Sequence, residues 1–198
     1  MSHPIRGLIV LLTALAGSLW LDGAPLHPAG GPASVGSIET SATAHDLYAS
    51  FSVRDAFDED VRERLASGLP VEFTHYVEVA RRRALWFDKT VLRKTITTTV
   101  TFDTLTRQYS LSKKVNDEVA ETSVAVNEAD MERWMTRLDQ VRLGDPALME
   151  GLEEGSLYIR VKSRLVRRFV LLFIPWDVET GWERVKVSLR SEVTGSAR

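Results

Sequence analysis

The stretch TITTTVT, residues 95–101, decides the fold of this chain because every side chain in it branches at Cβ. Branched side chains are restricted in a helix and suit the pleated, half-buried surface of a β-sheet. The apolar residues Leu92, Ile96, Val100 and Phe102 all fall on one face of an extended strand. We therefore predict a strand here, with that face in a core.

The same period of two recurs on both sides of this stretch and predicts further strands. Upstream, two sets of residues each share one strand face: Leu47, Ala49, Phe51 and Val53, and then Val71, Phe73, His75, Val77 and Val79. Downstream, alternation continues in four stretches: the one with Tyr109 and Leu111, residues 118–126, SLYIRVKSRLVRRFVLLF (156–173) and WERVKVSLR (182–190). The chain is thus predicted to be rich in strands.

Two short helices interrupt the predicted strands. The first begins at the capping residue Asp58 and ends at Gly68, because Pro70 cannot continue a helix. The second begins at Asn127, with Asp130 three residues later, a pattern that resembles a capping box. Its apolar stripe comprises Met131, Trp134, Met135, Leu138 and Val141. We interpret this stripe as packing on a sheet rather than as a groove for a partner.

Neither helix alternates regularly with the strands, so a doubly wound parallel sheet is not expected. The predicted fold class is mainly β (α+β): an antiparallel β-sandwich or open barrel with two covering helices, preceded by an N-terminal signal or anchor helix. The predicted units are a signal peptide or N-terminal membrane anchor at 1–24, a Pro/Gly-rich linker at 25–36, a single β-rich domain at 37–192 and a disordered tail at 193–198.

The N-terminal segment carries Arg6 and then an uncharged run over residues 7–21. A helix of that length is short for a bilayer but suits the apolar region of a secretory signal. We expect an exported protein, with either a cleaved signal or an uncleaved N-terminal anchor. The 198-residue chain has no cysteine. Export without cysteine favours a bacterial envelope, in the periplasm or on the outer face of the inner membrane.

The overall charge gives no reason to expect nucleic acid. The formal net charge is -2 and the pI about 6.1, whereas nucleic-acid binders usually carry a basic excess. The lack of cysteine excludes disulfides, thiolate metal sites and cysteine nucleophiles. Any ligand site must therefore come from a local group of other residues.

No sequence motif predicts catalysis, a cofactor or a metal site. The chain has no HExxH, no GxSxG, no glycine-rich phosphate loop and no EF-hand loop. His75 lies on an apolar strand face without a second histidine at metal-pair spacing, so we interpret it as a core histidine. The acidic stretch DAFDED (55–60) suits a helix N-terminus, and EGLEEG (150–155) suits a solvated loop.

Basic residues form the candidate site. In YIRVKSRL (158–165) three cations alternate with other residues, so they project from one face of a strand. Together with nearby arginines and a tryptophan they could hold a phosphate, a lipid headgroup or an acidic partner. The alternative is a solvated face paired with carboxylates such as Glu72 and Glu78. The candidate ligand-binding residues are Arg160, Lys162, Arg164, Arg82, Arg83 and Trp86.

The run of three arginines at 81–83 is predicted to follow the end of a strand. Alternation continued through Arg81 would bury a charge in the core, so the strand is predicted to end or bulge near Ala80. One of the following arginines, stacked on Trp86, would stabilise the bend. We prefer this structural interpretation of the stretch over ligand binding.

Several stretches together resemble a known family: HDLYASFSVRDAF (45–57), LASGLPVEFTHYVEVARRRALWFD (65–88), TFDTLTRQYSL (101–111), WMTRLD (134–139), YIRVKSRL (158–165) and the late Trp182. In these, the chain resembles the bacterial domain of unknown function 4390 family over about residues 37–190. The resemblance implies an exported or membrane-attached protein of uncharacterised activity. It supplies no catalytic residues.

We therefore expect a noncatalytic domain of the bacterial cell envelope that binds or scaffolds another component, either an envelope protein or the membrane surface. One alternative is a binding module that holds an anionic lipid or polysaccharide with the basic strand face. Another is an enzyme with a polar pocket near His75 or the acidic stretches. No cofactor, metal or nucleic acid is expected. Replacing the three strand cations by Gln is expected to disturb folding little, because exposed charges contribute little to stability.

Overall fold

A computed structural model of the protein describes residues 32–43, 45–83, 87–145, 157–170 and 174–187, with the backbone alone for 166–170 and 174–177. The predicted signal or anchor segment, the acidic stretch 150–155 and the predicted tail lie outside these residues.

The described part of the chain contains two helices and eleven strands. In order they are β1 (Ser34–Val35), β2 (Glu39–Ala42), β3 (Leu47–Arg54), α1 (Glu59–Ala66), β4 (Val71–Arg81), β5 (Lys89–Asp103), β6 (Gln108–Val115), β7 (Glu118–Ala125), α2 (Glu128–Thr136), β8 (Arg137–Gly144), β9 (Leu157–Val170), β10 (Ile174–Glu179) and β11 (Glu183–Lys186).

These strands form two antiparallel sheets. In the larger sheet the order is β10-β9-β4-β5-β6-β7, and β11 also pairs with β9. In the smaller sheet β1 and β2 pair with successive parts of β3, while β8 pairs with its other edge. Two antiparallel sheets and two short helices confirm the predicted mainly β fold class.

The β-branched stretch 95–101 lies in the middle of β5, the strand at which the two helices meet the larger sheet. Its apolar residues Ile96 and Val100 are buried, together with Phe73 of β4 and Ile159 of β9. We call the sheet face that carries these residues the inner face. Each such side chain stabilises the fold by roughly 1.5–3 kcal/mol on burial.

The smaller sheet and both helices cover the inner face. Phe51 of β3 contacts the ring of His75 edge-on, with centroids 5.8 Å apart. On the same inner face, the hydroxyl of Thr98 donates to the backbone carbonyl of Met135 in α2, at 3.4 Å. The buried residues of both sheets and both helices therefore form one hydrophobic core.

Both helices begin as the sequence predicts. The Val61 N–H donates to the Asp58 carboxylate at 3.0 Å, and the Asp130 N–H donates to the Asn127 side chain at 2.9 Å. After α1 the chain reverses at Gly68, whose φ of 74° lies in the left-handed region that favours glycine. The predicted caps and the first stop are thus confirmed.

The predicted apolar stripe of the second helix is wrong at its C-terminal end. Leu138 and Val141 lie in strand β8, not in α2, which ends at Thr136. The pairing of β8 with β3 shifts register near Phe51, and Gln140 has a φ of 51°. This bulge inserts an extra residue, so that apolar residues on a strand acquire the three-residue spacing typical of a helix.

The structure also extends the folded chain into the predicted linker. Ser34 and Val35 pair with Arg54 and Val53 of β3, although both lie in the segment 25–36. A short strand needs few apolar residues when its partner supplies the ladder, which explains why composition did not reveal it.

His75 is a core histidine, as predicted from its position on an apolar strand face. Its side chain is fully buried, and Nδ1 lies 2.8 Å from the hydroxyl of Ser163, its cross-strand neighbour on β9. Burial, with a smaller contribution from the charge of Lys113, lowers the pKa of His75 to about 3. The imidazole is therefore neutral in the folded protein at any pH near neutrality.

This burial predicts that the protein loses stability in mild acid. Between pH 6.5 and pH 3 the unfolded chain protonates His75 and the folded chain does not, so stability falls as the pH falls through this range. At pH 5 the loss from this residue is roughly 2 kcal/mol. Urea unfolding at pH 7.5 and pH 5 should show this loss in the natural chain and a smaller one in His75→Gln.

The exposed His45 provides the control for this measurement. The variant His45→Gln should lose as much stability between pH 7.5 and pH 5 as the natural chain does. If His75→Gln lost as much stability between pH 7.5 and pH 5 as the natural chain does, the buried neutral imidazole would not explain the acid sensitivity.

Candidate binding face

The predicted basic strand is β9, and its cations share one face. Arg160, Lys162 and Arg164 point away from the core, while the residues between them, including Val161 and Ser163, are buried. We call this side of the larger sheet the outer face; it also carries Tyr76 and Glu78 of β4 and Thr95, Thr97, Thr99 and Thr101 of β5.

Glu78 is a charged outer-face residue of β4, yet it is buried, with 2% of its surface exposed. It lies directly between Arg93 of β5 and Arg160 of β9 in the two ladders. The Nε atoms of both arginines donate to its carboxylate at 2.7 Å, one to each oxygen. One carboxylate therefore links three neighbouring strands.

The protonation of Glu78 is decided by two opposing effects. Desolvation raises the pKa of a carboxyl group, whereas the hydrogen bonds and charges of Arg160 and Arg93 lower it. The arginines dominate, so the pKa of Glu78 lies below its ordinary value. Glu78 is consequently ionised near neutral pH.

The other two cations of β9 also have a carboxylate partner. Lys162 forms an ion pair with Glu179, and the Arg164 Nε donates to the same carboxylate at 3.0 Å. The hydrogen bond from Lys162, followed by that from Arg164, lowers the pKa of Glu179. The cations of β9 thus belong to a mixed-charge network rather than to an unpaired basic ladder.

Aromatic rings lie beside these ion pairs. The guanidinium carbon of Arg160 lies 4.6 Å from the centre of the Trp182 ring, and the Lys162 Nζ lies 5.9 Å from it. Arg164 stacks over the ring of Tyr76 at 5.6 Å. We call Trp182, Tyr76, the three cations of β9, Glu78, Glu179 and Arg93 the charged aromatic cluster.

Trp182, Glu179 and Arg93 are not among the residues predicted from the sequence for this site. Trp182 comes from the connection between β10 and β11, where the edge of the sheet is irregular. Glu179 follows a register shift at the end of β10. Only the pairing of the strands brings these residues together, although the parity of Glu78 on its strand did suggest a partner for a cation.

Two of the remaining predicted site residues, Arg82 and Arg83, lie at one end of the sheet. Arg82 and Arg83 are exposed and follow the end of β4 at Arg81. Trp86 lies outside the described residues, so the predicted stacking of an arginine on it does as well. The ladder between β4 and β5 shifts register between Val79 and Ala80, which confirms the predicted bulge.

Beyond the charged aromatic cluster, the outer face is lined by hydroxyl groups. A shallow depression across β5, β6 and β7 is lined by Thr99, Thr101, Ser110, Ser112 and Thr122, together with the exposed apolar Val124 of β7. Within the described residues, no helix is long and apolar enough to cross a membrane. The same part of the chain contains no group of three or more His, Asp or Glu residues placed to hold a metal ion.

The fold and this face define a mainly β, two-sheet protein whose larger sheet exposes a charged and aromatic surface. The chain belongs to the domain of unknown function family DUF4390, whose model matches residues 31–186. No curated protein and no solved structure matches the chain.

The bridged carboxylate changes the expectation for Arg160. With 19% of its side chain exposed and a buried partner, Arg160 is not freely replaceable. Arg160→Gln should lower the free energy of unfolding by about 1–3 kcal/mol, because Glu78 then remains buried with one arginine. Chemical denaturation measures this loss.

Arg133 provides a matched control, because it forms a surface ion pair with Asp130 and its side chain is 67% exposed. Arg133→Gln should change stability by less than about 0.5 kcal/mol. A double variant with Glu78→Gln should lose less than the sum of the two single changes. Equal effects of Arg160→Gln and Arg133→Gln would contradict the structural role of the bridge.

Proposed function

We propose that this protein is a noncatalytic domain of the bacterial cell envelope that binds another envelope protein on the outer face of its larger sheet. The observation that carries the proposal is the asymmetry of that sheet. The smaller sheet and both helices cover its inner face, whereas no described element covers the charged aromatic cluster on its outer face.

The chemistry of the cluster favours binding over catalysis. Glu78 and Glu179 have lowered pKa values and are held by cations, so they remain ionised and exchange protons poorly near neutral pH. His75, whose ordinary pKa would suit acid–base catalysis, is sealed in the core. These groups are suited to fixed, charged contacts.

The same chemistry favours a protein partner with charges of both signs. Tryptophan and arginine are the residues that most often dominate protein interfaces. Paired charges on a surface give specificity for a complementary surface, since a mismatched charge is costly to desolvate. A partner with acidic and basic groups in matching positions would contact Trp182 and exchange or extend these ion pairs.

Binding of an anionic lipid or polysaccharide is the second candidate. It is favoured by the excess of positive charge in the cluster, which contains four cations, Arg93, Arg160, Lys162 and Arg164, and two carboxylates, Glu78 and Glu179. Such binding would weaken steeply with salt, whereas a mixed-charge protein interface with a tryptophan would be less sensitive.

The contact surface can be tested by photocrosslinking in living cells. A photoreactive residue in place of Thr97, on the outer face, should form a discrete crosslinked species, and one in place of Asp139, exposed on β8, should not. Trp182→Ala should weaken that species several-fold, because the ring is a predicted anchor.

Leu105→Ala serves as the control, since Leu105 is an exposed apolar residue in the turn between β5 and β6. It should leave the crosslink intact. Crosslinks from Asp139 alone, or a species that survives Trp182→Ala unchanged, would contradict binding at the outer face.

The proposed envelope location rests on the apolar N-terminal segment and on the expectation that members of the family are exported. A reporter that is active only after export, fused after residue 60, should be active. It should become inactive when residues 7–21 are deleted, because the apolar run is the predicted export signal. Reporter activity confined to the cytoplasm would contradict the proposed location.

A further inference from the structure

Strand β7 forms one edge of the larger sheet. It pairs with β6 on one side, and no described strand pairs with its other side. The chain from residue 87 to residue 145, which contains β5 to β8 and α2, is described without a gap. The backbone N–H and C=O groups along the outer side of such an edge can form a ladder with another strand.

The two edges of the larger sheet differ in how they are protected. At the opposite edge, β10 contains Pro175, which cannot donate to a ladder, and its pairing with β9 shifts register. β7 contains no proline, lysine or arginine, the residues that commonly keep an edge from pairing. Instead it exposes Val119 and Val124, at 63% and 59%. The edge at β7 is therefore chemically suited to accept a strand.

A bulge determines which side chains of β7 share a face. The ladder between β6 and β7 shifts register and leaves Ala120 as an extra residue. Val119 and Val124 are an odd number of positions apart and would lie on opposite faces of a regular strand, but the bulge places both on the outer face, with Thr122 between them. A bulge can disrupt pairing at an edge. This one makes the order of faces along β7 symmetric about Thr122.

We propose that β7 pairs antiparallel with β7 of a second copy of this chain, with the twofold axis at Thr122. Such an interface uses the same surface of both copies. The facing residues are then Thr122 with Thr122, Glu121 with Ser123, Val119 with Val124 and Glu118 with Ala125. Threonine pairs and β-branched apolar pairs are favourable cross-strand neighbours, and no glutamate faces another glutamate.

The glutamates favour this register over a neighbouring one. A shift that placed Glu121 opposite Glu121 would set two like charges against each other across the ladder. In the proposed register the Glu121 carboxylate keeps its own partners, because Lys113 and the Trp134 indole N–H donate to it at 2.8 and 3.0 Å within each copy. The charge pattern of β7 is thus compatible with a second β7.

The pairing joins two seven-stranded sheets into one continuous sheet. Because the twofold axis is perpendicular to that sheet, both outer faces point to the same side. The two β9 strands are separated by nine strand spacings, or roughly 40 Å. A partner with two binding sites would meet both charged aromatic clusters at once and be held more tightly than by one. The dimer goes beyond the function proposed above and does not depend on it.

Disulfide trapping tests the dimer with the full chain, which has no cysteine of its own. The exposed Thr122 faces itself across the twofold axis, with Cα atoms about 5 Å apart, a distance that a disulfide spans. An edge of eight residues makes a small interface, so we expect a reversible dimer that trapping can capture. Mild oxidation of Thr122→Cys should yield a covalent dimer.

Ser112→Cys is the matched control. Ser112 lies opposite Thr122 on β6 and on the same face, but in the dimer the two copies of Ser112 are three strand spacings apart, roughly 14 Å. That separation is too large for a disulfide. The yield of covalent dimer from Thr122→Cys should exceed that from Ser112→Cys at least fivefold or so. Both variants carry the same N-terminal segment, so association through that segment contributes equally to each.

A charge swap tests the register. In the Thr122→Cys protein, adding Val124→Lys should reduce the covalent dimer several-fold, because a cation replaces an apolar contact with Val119 of the other copy. Adding Val119→Glu to that variant should restore the yield, since residues 119 and 124 of different copies face each other. Leu105→Lys, in the exposed turn between β5 and β6, should change the yield by less than about twofold.

The proposal is overturned if Thr122→Cys and Ser112→Cys give equal yields of covalent dimer. It is also overturned if Val124→Lys has no effect, or if Val119→Glu does not restore the yield that Val124→Lys removes. The outcome is independent of the photocrosslinking from Thr97, because β7 contributes no residue to the charged aromatic cluster.

Discussion

The carboxylate of Glu78 ties the centre of the larger sheet together. It accepts from Arg93 on one side and from Arg160 on the other, so one buried charge spans β5, β4 and β9. A one-residue slip of either neighbouring strand would move its arginine to the inner face, where that charge would have no partner, and would leave Glu78 buried with a single arginine. The bridge therefore favours one register, and that register positions Trp182 and Glu179 beside the cations of β9.

The periodic part of this fold could be predicted from the sequence, and the irregular part could not. Alternation locates β3, β4, β5 and β9 because each has one face in the core. The bulge at Gln140 gives β8 an apolar spacing that imitates a helix, so the end of α2 was misjudged. Periodicity fails wherever the backbone inserts an extra residue.

The candidate site likewise has one part that could be predicted from the sequence and another that could not. The shared face of Arg160, Lys162 and Arg164 follows from alternation within one strand, and the structure places them so. Their partners follow from pairing between strands that are distant in sequence: Arg93 precedes Arg160 by 67 positions and is linked to it through Glu78. The sequence of β9 alone shows no carboxylate partner for these cations. Their partners, Glu78 and Glu179, lie on neighbouring strands that only the fold brings close.

The outer face combines fixed charges with Trp182 and Tyr76, a surface suited to a specific partner. Its cations are held by Glu78 and Glu179, so a partner would meet charges whose positions are already fixed by the pairing of the strands.

The central claim, that the outer face is the contact surface in the envelope, can be tested most directly by hydroxyl-radical footprinting of the protein in cells and after purification. Trp182 is 36% exposed and should be oxidised readily in the purified protein. We predict that oxidation of Trp182, normalised to that of the exposed Leu105, falls at least several-fold in the intact envelope. An unchanged ratio of Trp182 to Leu105 oxidation would mean that nothing covers the outer face in its native setting, and would contradict the account.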